Sequence, residues 1–556
     1  MNLSRKKLYL ALSAVLTASA VASGPALAFS VDADANVIVT DDRGDALIFP
    51  FYSTNVEKQP APLDRVTGAR TSFSVTNTSP DRAIAVKIRF REQVTSQEVF
   101  DFIVFLSPED KFDFRVRQNH DVDGNPTEAP RIYFDRARNP DGSLLIAKSE
   151  TSCIAPLGLY NYDQGVNPTA NRFRTPVYPI PGVNMSDPIE VRRALAVGHV
   201  EVIAMADITN AFVAGAAPGS PPVALGPAVT HQENGLPLDC AAARRAFSNF
   251  TNVQTIDGAL DAPNTLIGRM LVTIPEAGVE AGTNAITIKN AFEEALLVPQ
   301  STESCITNPN STCDSQFAWD QQAFNHPHFG TSENIENIEE QLTADALQND
   351  WSRNEATNVS VDWVVSFPTK YVYSDYAECG DGVPGNRQWC FVGTVLNPTA
   401  WTGGQDPYPL HCQQTNMTVW DWDEFRNNMV SPARFPDLCN EVNVLHIREN
   451  NTSSPPSLIQ YDPWRPEYVF ENLLARERGW AELDFLWGTI PEVRQGVVNY
   501  QLSSMLKTDC KDCAPTPAVA GLAFTVRATG DPNVNNGSLT DLSRRNDATQ
   551  NGEDVD

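Results

Sequence analysis

The chain has 556 residues, of which 41 are Lys or Arg and 69 are Asp or Glu, so its formal net charge is −28. A surface of that sign repels phosphate backbones, which excludes nucleic acid as a partner. Hydrophobic residues make up 42% of the chain and aromatic residues 9%. This composition predicts a folded protein with a real core and excludes a disordered chain.

Residues 1–28 have the pattern of a secretory signal peptide. Arg5-Lys6-Lys7 is a positive start, residues 8–21 are apolar and uncharged, and Ala26-Leu27-Ala28 is an A-x-A cleavage site. The apolar run is short for a membrane-spanning helix. We therefore expect a mature chain that begins at Phe29, has no transmembrane span, and is exported to the periplasm, the cell surface or the extracellular space.

All ten cysteines follow this predicted signal, and an even number in an exported chain predicts disulfide bonds. The sequence leaves the connectivity open, and pairing between sequence neighbours is favoured because short loops close easily. Such pairing would join Cys305 to Cys313, Cys379 to Cys390, Cys412 to Cys439 and Cys510 to Cys513, and it would leave Cys153 for Cys240.

Strands with alternating polarity dominate the first mature segment. Between Ile84 and Arg91 apolar residues alternate with Ala85, Lys87 and Arg89, which gives one apolar face and one largely cationic face. Further strands are predicted at Ala46–Tyr52, Thr71–Thr76, Phe100–Leu106 and Phe112–Val116, with a turn at 77–81. Short strands in close succession predict an antiparallel β-sandwich over residues 29–150.

Two resemblances concern this segment. Ser72–Phe90 resembles the immunoglobulin-like modules of bacterial surface proteins. The stretches 47–52, 74–78 and 99–108 resemble a family of exported, β-rich proteobacterial proteins that are described as cell-surface proteins. The resemblance implies an immunoglobulin-like N-terminal module on a surface or secreted protein, and it implies no catalytic residue.

Residues 151–300 read as a loop-rich β segment. Arg174–Pro188 and Ala214–Pro227 are predicted loops, while Val197–Ile208 and Leu266–Ile274 are predicted strands.

Residues 301–530 read as a disulfide-stapled, Trp-rich β unit, because all ten tryptophans and eight of the ten cysteines lie within it. Helices are predicted at Ser332–Asn349 and Pro466–Arg478 from apolar spacing. Strands are predicted over 359–367, 481–487 and 519–526. Residues 531–556 are rich in Asn, Asp and Gly and are predicted to be disordered.

Residues 380–385 match G-x-G-x-x-G, which in a dinucleotide site opens a helix. Pro384 and the bracketing Cys379 and Cys390 favour a closed loop here.

The segment from Trp480 to Trp487 resembles the E-x-D-x-x-E strand of laminarinase-type β-glucanases. Glu482 and Asp484 match the first two carboxylates, but Trp487 occupies the place of the third. Retaining hydrolysis needs two carboxyl groups that flank the glycosidic bond. The resemblance therefore implies glycan binding by Trp480, Glu482, Asp484 and Trp487 at most, and a strand with a solvated acidic face is the favoured alternative.

Asn119, Asp121 and Asp123, followed by Gly124, resemble the start of a calcium loop. Pro130 stands where the loop needs a bidentate Glu, so a polar hairpin is favoured. Calcium is the one cofactor that the sequence suggests.

Taken together, these patterns predict a non-enzymatic, exported structural or interaction protein with a surface or matrix partner. The alternative is a glycan-binding or carbohydrate-active protein. An open groove lined by Glu482 and Asp484 would favour the alternative, and burial of the tryptophan rings would favour the first hypothesis.

Overall fold

A computed structural model describes most of the first half of the chain and the principal strands of the second half. The described residues are 38–40, 42–58, 66–95, 97–141, 143–155, 171–176, 180, 182–247, 256–277, 279–291, 346–352, 359–368, 374–377, 388–391, 413–421, 426–428, 437–438, 440–448, 457, 459–460, 467–469, 478–485, 520–527, 536–541 and 543–545.

Among its described residues, the first half contains short and long strands, three α-helices and one turn of 3-10 helix at Pro275–Ala277. The strands are β1 (Ile38–Thr40), β2 (Ala46–Ser53), β3 (Val56–Lys58), β4 (Val66–Gly68), β5 (Arg70–Asn77), β6 (Ile84–Glu92), β7 (Glu98–Leu106), β8 (Lys111–Arg117), β9 (Arg131–Phe134), β10 (Arg136–Arg138), β11 (Leu144–Ser149), β12 (Cys153–Ala155), β13 (Val197–Asp207), β14 (Phe212–Val213), β15 (Val223–Ala224), β16 (Leu266–Ile274), β17 (Val279–Asn284) and β18 (Ile286–Lys289). The helices are α1 (Pro188–Ala194), α2 (Leu225–Val229) and α3 (Cys240–Phe247).

The described elements of the second half are strands. They are β19 (Ala346–Ser352), β20 (Val359–Ser366), β21 (Ser374–Ala377), β22 (Gln388–Phe391), β23 (Gln413–Asp421), β24 (Arg426–Asn428), β25 (Asp437–Leu438), β26 (Val442–Arg448), β27 (Glu467–Val469), β28 (Arg478–Phe485), β29 (Ala520–Arg527), β30 (Asn536–Asp541) and β31 (Ser543–Arg545).

The predicted antiparallel β-sandwich is confirmed, and the described chain is mainly β. Its seven-stranded sheet has the order β1-β18-β2-β13-β6-β7-β12, and its five-stranded sheet has the order β17-β16-β5-β8-β9. Strand β13 lies between β2 and β6, so this sandwich combines strands from both sides of residue 150. The domain boundary that the sequence suggested at residue 150 lies within this sandwich.

Aromatic side chains fill the space between these two sheets. Phe73 of β5 stacks on Phe114 of β8 with 5.0 Å between ring centroids, and its edge meets Phe49 of β2 at the same distance. Phe90 and Phe102 are fully buried in the same cluster. Burial of one such side chain stabilises the fold by about 1.5–3 kcal/mol, so this alternation of apolar residues accounts for the pairing of the two sheets.

The opposite face of the seven-stranded sheet is apolar at one end, where α2 and α3 cover it. Phe105 of β7 packs against Phe247 of α3 with 5.1 Å between ring centroids. A disulfide joins Cys153 of β12 to Cys240 at the start of α3, which confirms that predicted pair. The side chains of the other eight cysteines lie outside the described residues.

The described strands of the second half form two larger sheets and the two-stranded sheet β21-β22. One larger sheet has the order β24-β23-β28-β19-β31, with β25 also paired to β23, and the other has the order β27-β26-β20-β29-β30. This half packs against the first sandwich: Val364, Val442 and Ile459 belong to the same buried apolar cluster as the sandwich core. In addition, the backbone N–H of Val442 donates to the carbonyl of Gln93 over 3.0 Å.

Both helices predicted in the second half are wrong where the structure describes them. The last four residues of Ser332–Asn349 lie in β19, where Leu347 pairs with Leu483 of β28. Glu467–Val469 forms β27, which pairs in parallel with β26, and Arg478 begins β28. Neighbouring strands offer these segments a hydrogen-bonded ladder, and this tertiary pairing overrides the local apolar spacing.

The predicted disordered tail also differs from the structure. Asn536–Asp541 pairs with β29, and Ser543–Arg545 pairs with β19. Both segments add to sheets that otherwise end at β29 and β19, so backbone pairing compensates for their polar composition.

No helix among the described residues is long and apolar enough to cross a membrane.

Candidate functional site

The cationic face of β6 lies inside the protein. Lys87, Arg89 and Arg91 are all fully buried. The Nζ of Lys87 lies 2.7 Å from a carboxylate oxygen of Asp101, and Arg89 Nη2 lies 2.7 Å from Glu98 Oε2. Each cation therefore faces a carboxylate on a neighbouring strand.

Glu201 of β13 connects this row of charges to His199. Its carboxylate lies 3.1 Å from Arg91 Nε and 3.7 Å from His199 Nε2. On the other side, His199 Nδ1 lies 3.2 Å from Glu441 Oε1, in the second half of the chain. We call Lys87, Arg89, Arg91, Glu98, Asp101, His199, Glu201 and Glu441 the ion-pair layer.

Burial and the neighbouring charges set the protonation of this layer. Desolvation lowers the pKa of His199, although Glu201 acts in the opposite sense, so the imidazole is neutral in the folded protein at pH 7. Desolvation alone would raise the pKa of Glu201. The guanidinium of Arg91, the bond to His199 and the charge of Arg89 outweigh that effect and hold its pKa well below the usual range.

The ion-pair layer is closed to solvent, because all eight of its side chains are at most 6% exposed. Buried charges are costly unless opposite charges compensate them. The arrangement therefore fixes which strands pair and how the two halves meet, and it offers no surface to a ligand.

The residues proposed for calcium form the ends of a tight hairpin. The carboxylate of Asp121 accepts hydrogen bonds from the backbone N–H groups of Asp123 and Asn125, both over 2.9 Å. These bonds lower the pKa of Asp121, with the bond from Asn125 as the largest cause. The side-chain amide of Asn119 donates instead to Glu128 over 2.5 Å.

This geometry is that of an Asx turn. Among the described residues, no group of three or more His, Cys, Asp or Glu side chains is arranged to hold a metal ion. Calcium binding at this hairpin stays a prediction.

The strand that resembles a β-glucanase strand is β28. Trp480 lies directly opposite Trp420 of β23, and their rings stack in parallel with centroids 3.7 Å apart. Trp480 is 36% exposed. Glu482 is almost fully buried and accepts a hydrogen bond from the side-chain amide of Gln348.

The proposed glycan residues are therefore divided. Trp480 lies at the surface, Glu482 is buried, the side chain of Asp484 is not described, and Trp487 lies outside the described residues. The alternative hypothesis requires an open groove lined by Glu482 and Asp484. Glu482 does not line such a groove, because its side chain is almost fully buried.

A groove crosses the outer face of the five-stranded sheet. It has a volume of about 480 Å³. Ser72 and Ser74 of β5 form its floor, with Arg269 and Leu271 of β16 on one side and Asp113, Arg115 and Tyr133 on the other. We call this groove the β5 trough.

The register of the strands explains the shape of the β5 trough. Ser74 lies between Arg269 of β16 and Asp113 of β8, and Ser72 lies between Leu271 and Arg115. Two small side chains on a central strand, with long side chains on both neighbours, leave a channel that runs along β5. The opposite face of β5 is fixed by buried Phe73 and Val75, so the serines are held outward.

The face that contains the β5 trough is richer in cations than the chain as a whole. Its outward strand positions include the cations Arg70, Lys111, Arg115, Arg117, Arg131 and Arg269 and the carboxylates of Asp113 and Glu280. Asp135, Glu276 and Glu128, which lie beyond these strand positions, pair with Arg115, Arg70 and Arg131, so the charges of this face nearly balance.

Most of these cations already have acidic partners. Arg115 lies 2.7 Å from Asp135, Lys111 lies 2.9 Å from Asp113, and Arg70 lies 3.5 Å from Glu276. Arg269 is exposed and makes no hydrogen bond or ion pair with the part of the chain that the structure describes.

A second, smaller pocket lies near α1 and has a volume of about 320 Å³. Its carboxylate, Glu128, already pairs with Arg131 and, over 2.6 Å, with Arg172. The third charged group, Arg192, donates to the carbonyl of Pro126 over 3.1 Å, so each charged group of this pocket has a partner.

No family model, no curated protein and no solved structure matches this chain. The fold and the trough together define an antiparallel β-sandwich with a polar groove on one sheet.

The trough residues were not singled out from the sequence. Ser72, Ser74, Arg115 and Arg269 all occupy polar positions of strands that the alternation predicts. The alternation of polar and apolar residues shows which side chains of one strand share a face, but it does not show which strands are neighbours. Only the pairing of β16 with β5, almost 200 residues apart in sequence, brings Arg269 beside Ser74.

Proposed function

We propose that this protein is an exported, non-enzymatic interaction protein of the cell surface or extracellular space, and that it binds its partner through the β5 trough. The observation that supports this most directly is the trough itself: an open, polar channel with outward hydroxyl groups and an exposed guanidinium. Its volume falls within the range of about 300–1,000 Å³ that is typical of ligand sites.

Export is supported by the signal-like residues 1–28 and by the disulfide between Cys153 and Cys240, because disulfides persist in oxidising compartments. N-terminal sequencing of the secreted protein should give Phe29 as the first residue. Secreted material that begins at Met1 would contradict export through this signal.

A non-enzymatic role is supported by where the ionisable groups lie. His199 and Glu201, whose pKa values are both lowered, are enclosed in the ion-pair layer. Glu482, which matches the first carboxylate of the β-glucanase strand, is almost fully buried and accepts a hydrogen bond from Gln348.

Blocking the trough tests the proposed function. Ser74→Trp places a large ring on the floor of the trough, and Trp is well tolerated in strands. Ser143→Trp, at an exposed loop position, is the matched control. The assay uses cells of the source organism from which the gene for this protein has been deleted. Fluorescently labelled, unmodified protein should bind to the surface of these cells. We expect Ser74→Trp to lose most of this binding and Ser143→Trp to retain it. Equal binding by both variants would contradict a role for the trough.

A second function, glycan binding, is favoured by the stacked pair of Trp420 and Trp480. Aromatic rings that are partly exposed can stack against sugar rings. Trp480→Ala should weaken binding to a soluble β-glucan, whereas Glu482→Gln should leave this binding unchanged. Hydrolysis of the glucan by the unmodified protein, lost in Glu482→Gln, would instead show a carbohydrate-active enzyme.

A further inference from the structure

We propose that the smaller pocket near α1 binds a small apolar carboxylate, a fatty acid with a short acyl chain. Its carboxylate would lie against Arg192 and its hydrocarbon tail against one face of α1. We call this site the α1 pocket. It shares no lining residue with the β5 trough, so the inference goes beyond the proposed function and does not depend on it.

One face of α1 forms a wall of the α1 pocket. Four residues at helical spacing line it: Pro188, Val191, Arg192 and Leu195. This spacing places them on the same side of a helix. Val191 and Leu195 are buried in the core of the first sandwich, and Met185, which also lines the pocket, packs against that core. The wall beside Arg192 is therefore apolar and suits a hydrocarbon tail.

The charged groups around the α1 pocket have partners, but their charges do not balance. Arg131 and Arg172 both contact a single carboxylate, that of Glu128. Arg192 donates instead to a neutral acceptor, the carbonyl of Pro126. Three guanidinium groups are thus matched by one carboxylate. The carboxylate of a ligand would compensate part of this positive excess.

The acidic residues at the start of α1 do not supply that compensation. The carboxylate of Asp187 accepts a hydrogen bond from the backbone N–H of Ile189, and that of Glu190 accepts one from Asn184, each over 2.8 Å. Neither residue lines the pocket. Within the described part of the chain, neither forms an ion pair with Arg192.

Arg192 retains donors for a ligand. A guanidinium has five N–H donors, and the bond to Pro126 uses Nη1 alone. Guanidinium groups bind carboxylates through two parallel hydrogen bonds. Two hydroxyl groups that line the same pocket, those of Thr175 and Ser186, can also donate to a carboxylate.

The size of the α1 pocket limits the ligand. Its volume of about 320 Å³ lies near the lower end of the range of about 300–1,000 Å³ that is typical of ligand sites. A short acyl chain fits this volume, whereas a peptide or an intact phospholipid would extend beyond it.

Calorimetric titration of the full mature chain tests the proposal. The probes are hexanoate, hexanol, which has the tail without the charge, and acetate, which has the charge without most of the tail. We expect hexanoate to bind. Hexanol should bind at least about tenfold more weakly, because hydrogen bonds to charged groups are stronger than those to neutral groups. Acetate should also bind at least about tenfold more weakly, because four methylene groups are lost.

Variants assign the effect to the pocket. Arg192→Gln should reduce the affinity for hexanoate about tenfold, and Arg192→Lys should reduce it less because the charge remains. Arg193→Gln is the matched control: it removes the same charge from the next residue of α1, which does not line the pocket, and it should change the affinity much less. If Arg192→Gln fails to fold by circular dichroism, Arg192→Lys and Met185→Gln decide, since Met185→Gln replaces an apolar contact of the tail and should also weaken binding of hexanoate.

Three results would overturn the inference: no binding of hexanoate, hexanol binding as tightly as hexanoate, or equal affinities in Arg192→Gln and Arg193→Gln. None of them bears on the β5 trough. Ser74→Trp, which blocks the trough, should bind hexanoate as the unmodified protein does, and a loss of hexanoate binding in that variant would place the ligand in the trough instead.

Discussion

Glu201 is the residue on which the buried charges of the first sandwich depend. Its carboxylate faces Arg91, His199 and, at 3.9 Å, Arg89. It lies on the central strand β13, more than 100 residues from its cationic partners on β6. Such a network stabilises one register of β13 against β6, because a shift of one residue would turn the charges into the apolar core.

Glu201→Gln should therefore strongly destabilise the protein. Removal of one partner leaves buried cations without compensation, which costs about 3–5 kcal/mol in comparable cases. Urea unfolding followed by far-ultraviolet circular dichroism measures the change in the free energy of unfolding. Glu233→Gln, at an exposed position, is the control and should change stability by less than about 0.5 kcal/mol. Similar unfolding midpoints for both variants would show that the charge of Glu201 does not stabilise the ion-pair layer.

His199 gives this layer a defined pH dependence. Burial lowers its pKa in the folded protein, whereas in the unfolded chain it titrates near about 6.5. Below that pH the unfolded state binds a proton that the folded state does not bind, so stability decreases as the pH falls. The slope approaches about 1.4 kcal/mol per pH unit for one proton. The charged groups that face the imidazole are Glu201, Glu441, Arg91 and Arg89.

Comparison of the unmodified protein with His199→Gln isolates this effect. The raised pKa values of Glu92 and Glu150, caused mainly by burial, act in the opposite sense, but they are common to both proteins. The stability advantage of the unmodified protein should shrink by roughly 1 kcal/mol as the pH falls from about 7.5 to about 5.5. An advantage that is constant over this range would mean that His199 takes up its proton in the folded state.

At the scale of elements, the disulfide fastens an edge strand to a helix. Cys153 lies in β12, the last strand of the seven-stranded sheet, and Cys240 begins α3, 87 residues later. The double variant Cys153→Ala, Cys240→Ala should lower the free energy of unfolding by about 2–4 kcal/mol, because the unfolded chain regains the freedom of a long loop.

Urea unfolding of this double variant under non-reducing conditions leaves any other disulfide intact. Val122→Ala, which alters a side chain that is 85% exposed, is a control for the effect of a surface substitution. A double variant as stable as the unmodified protein would contradict a stabilising role for this bond.

Strands with strict alternation could be predicted from the sequence, and β6 shows why. Ile84, Val86, Ile88 and Phe90 recur at every second position, which only a strand places on one face. The same pattern suggested that the other face is merely cationic. Its burial could not be predicted, because Glu201 and Glu441 reach it from distant parts of the chain.

Elements with weaker patterns were mistaken for helices. Leu347 has near-helical spacing to Ile338 and Leu342 in the sequence, yet it lies in β19 between β28 and β31. For short apolar segments, spacing alone does not separate helix from strand, and the available pairing partners decide. The β5 trough was out of reach for the same reason, since its walls come from strands that are distant in sequence.

At the scale of the whole molecule, cations and acids are distributed unequally. Several cations are used in the interior, where Lys87, Arg89 and Arg91 compensate buried carboxylates. Others gather on the face of the β5 trough. The carboxylates of Glu98, Asp101, Glu201 and Glu441 match these cations, so the excess of acidic side chains in the chain lies outside this layer.

The excess of acidic side chains also predicts how stability depends on salt. Exposed carboxylates repel one another over a range of about 8 Å at 0.15 M salt and about 3 Å at 1 M. The ion-pair layer is buried and is screened much less, so salt should relieve the repulsion without weakening the internal pairs. We expect the thermal midpoint at pH 7 to rise between about 0.05 and about 1 M NaCl. The same series at a pH near the sequence pI of 4.6 should show a smaller rise, because the net charge is then close to zero. A midpoint at pH 7 that falls steadily with NaCl would mean that attractive surface pairs outweigh the repulsion.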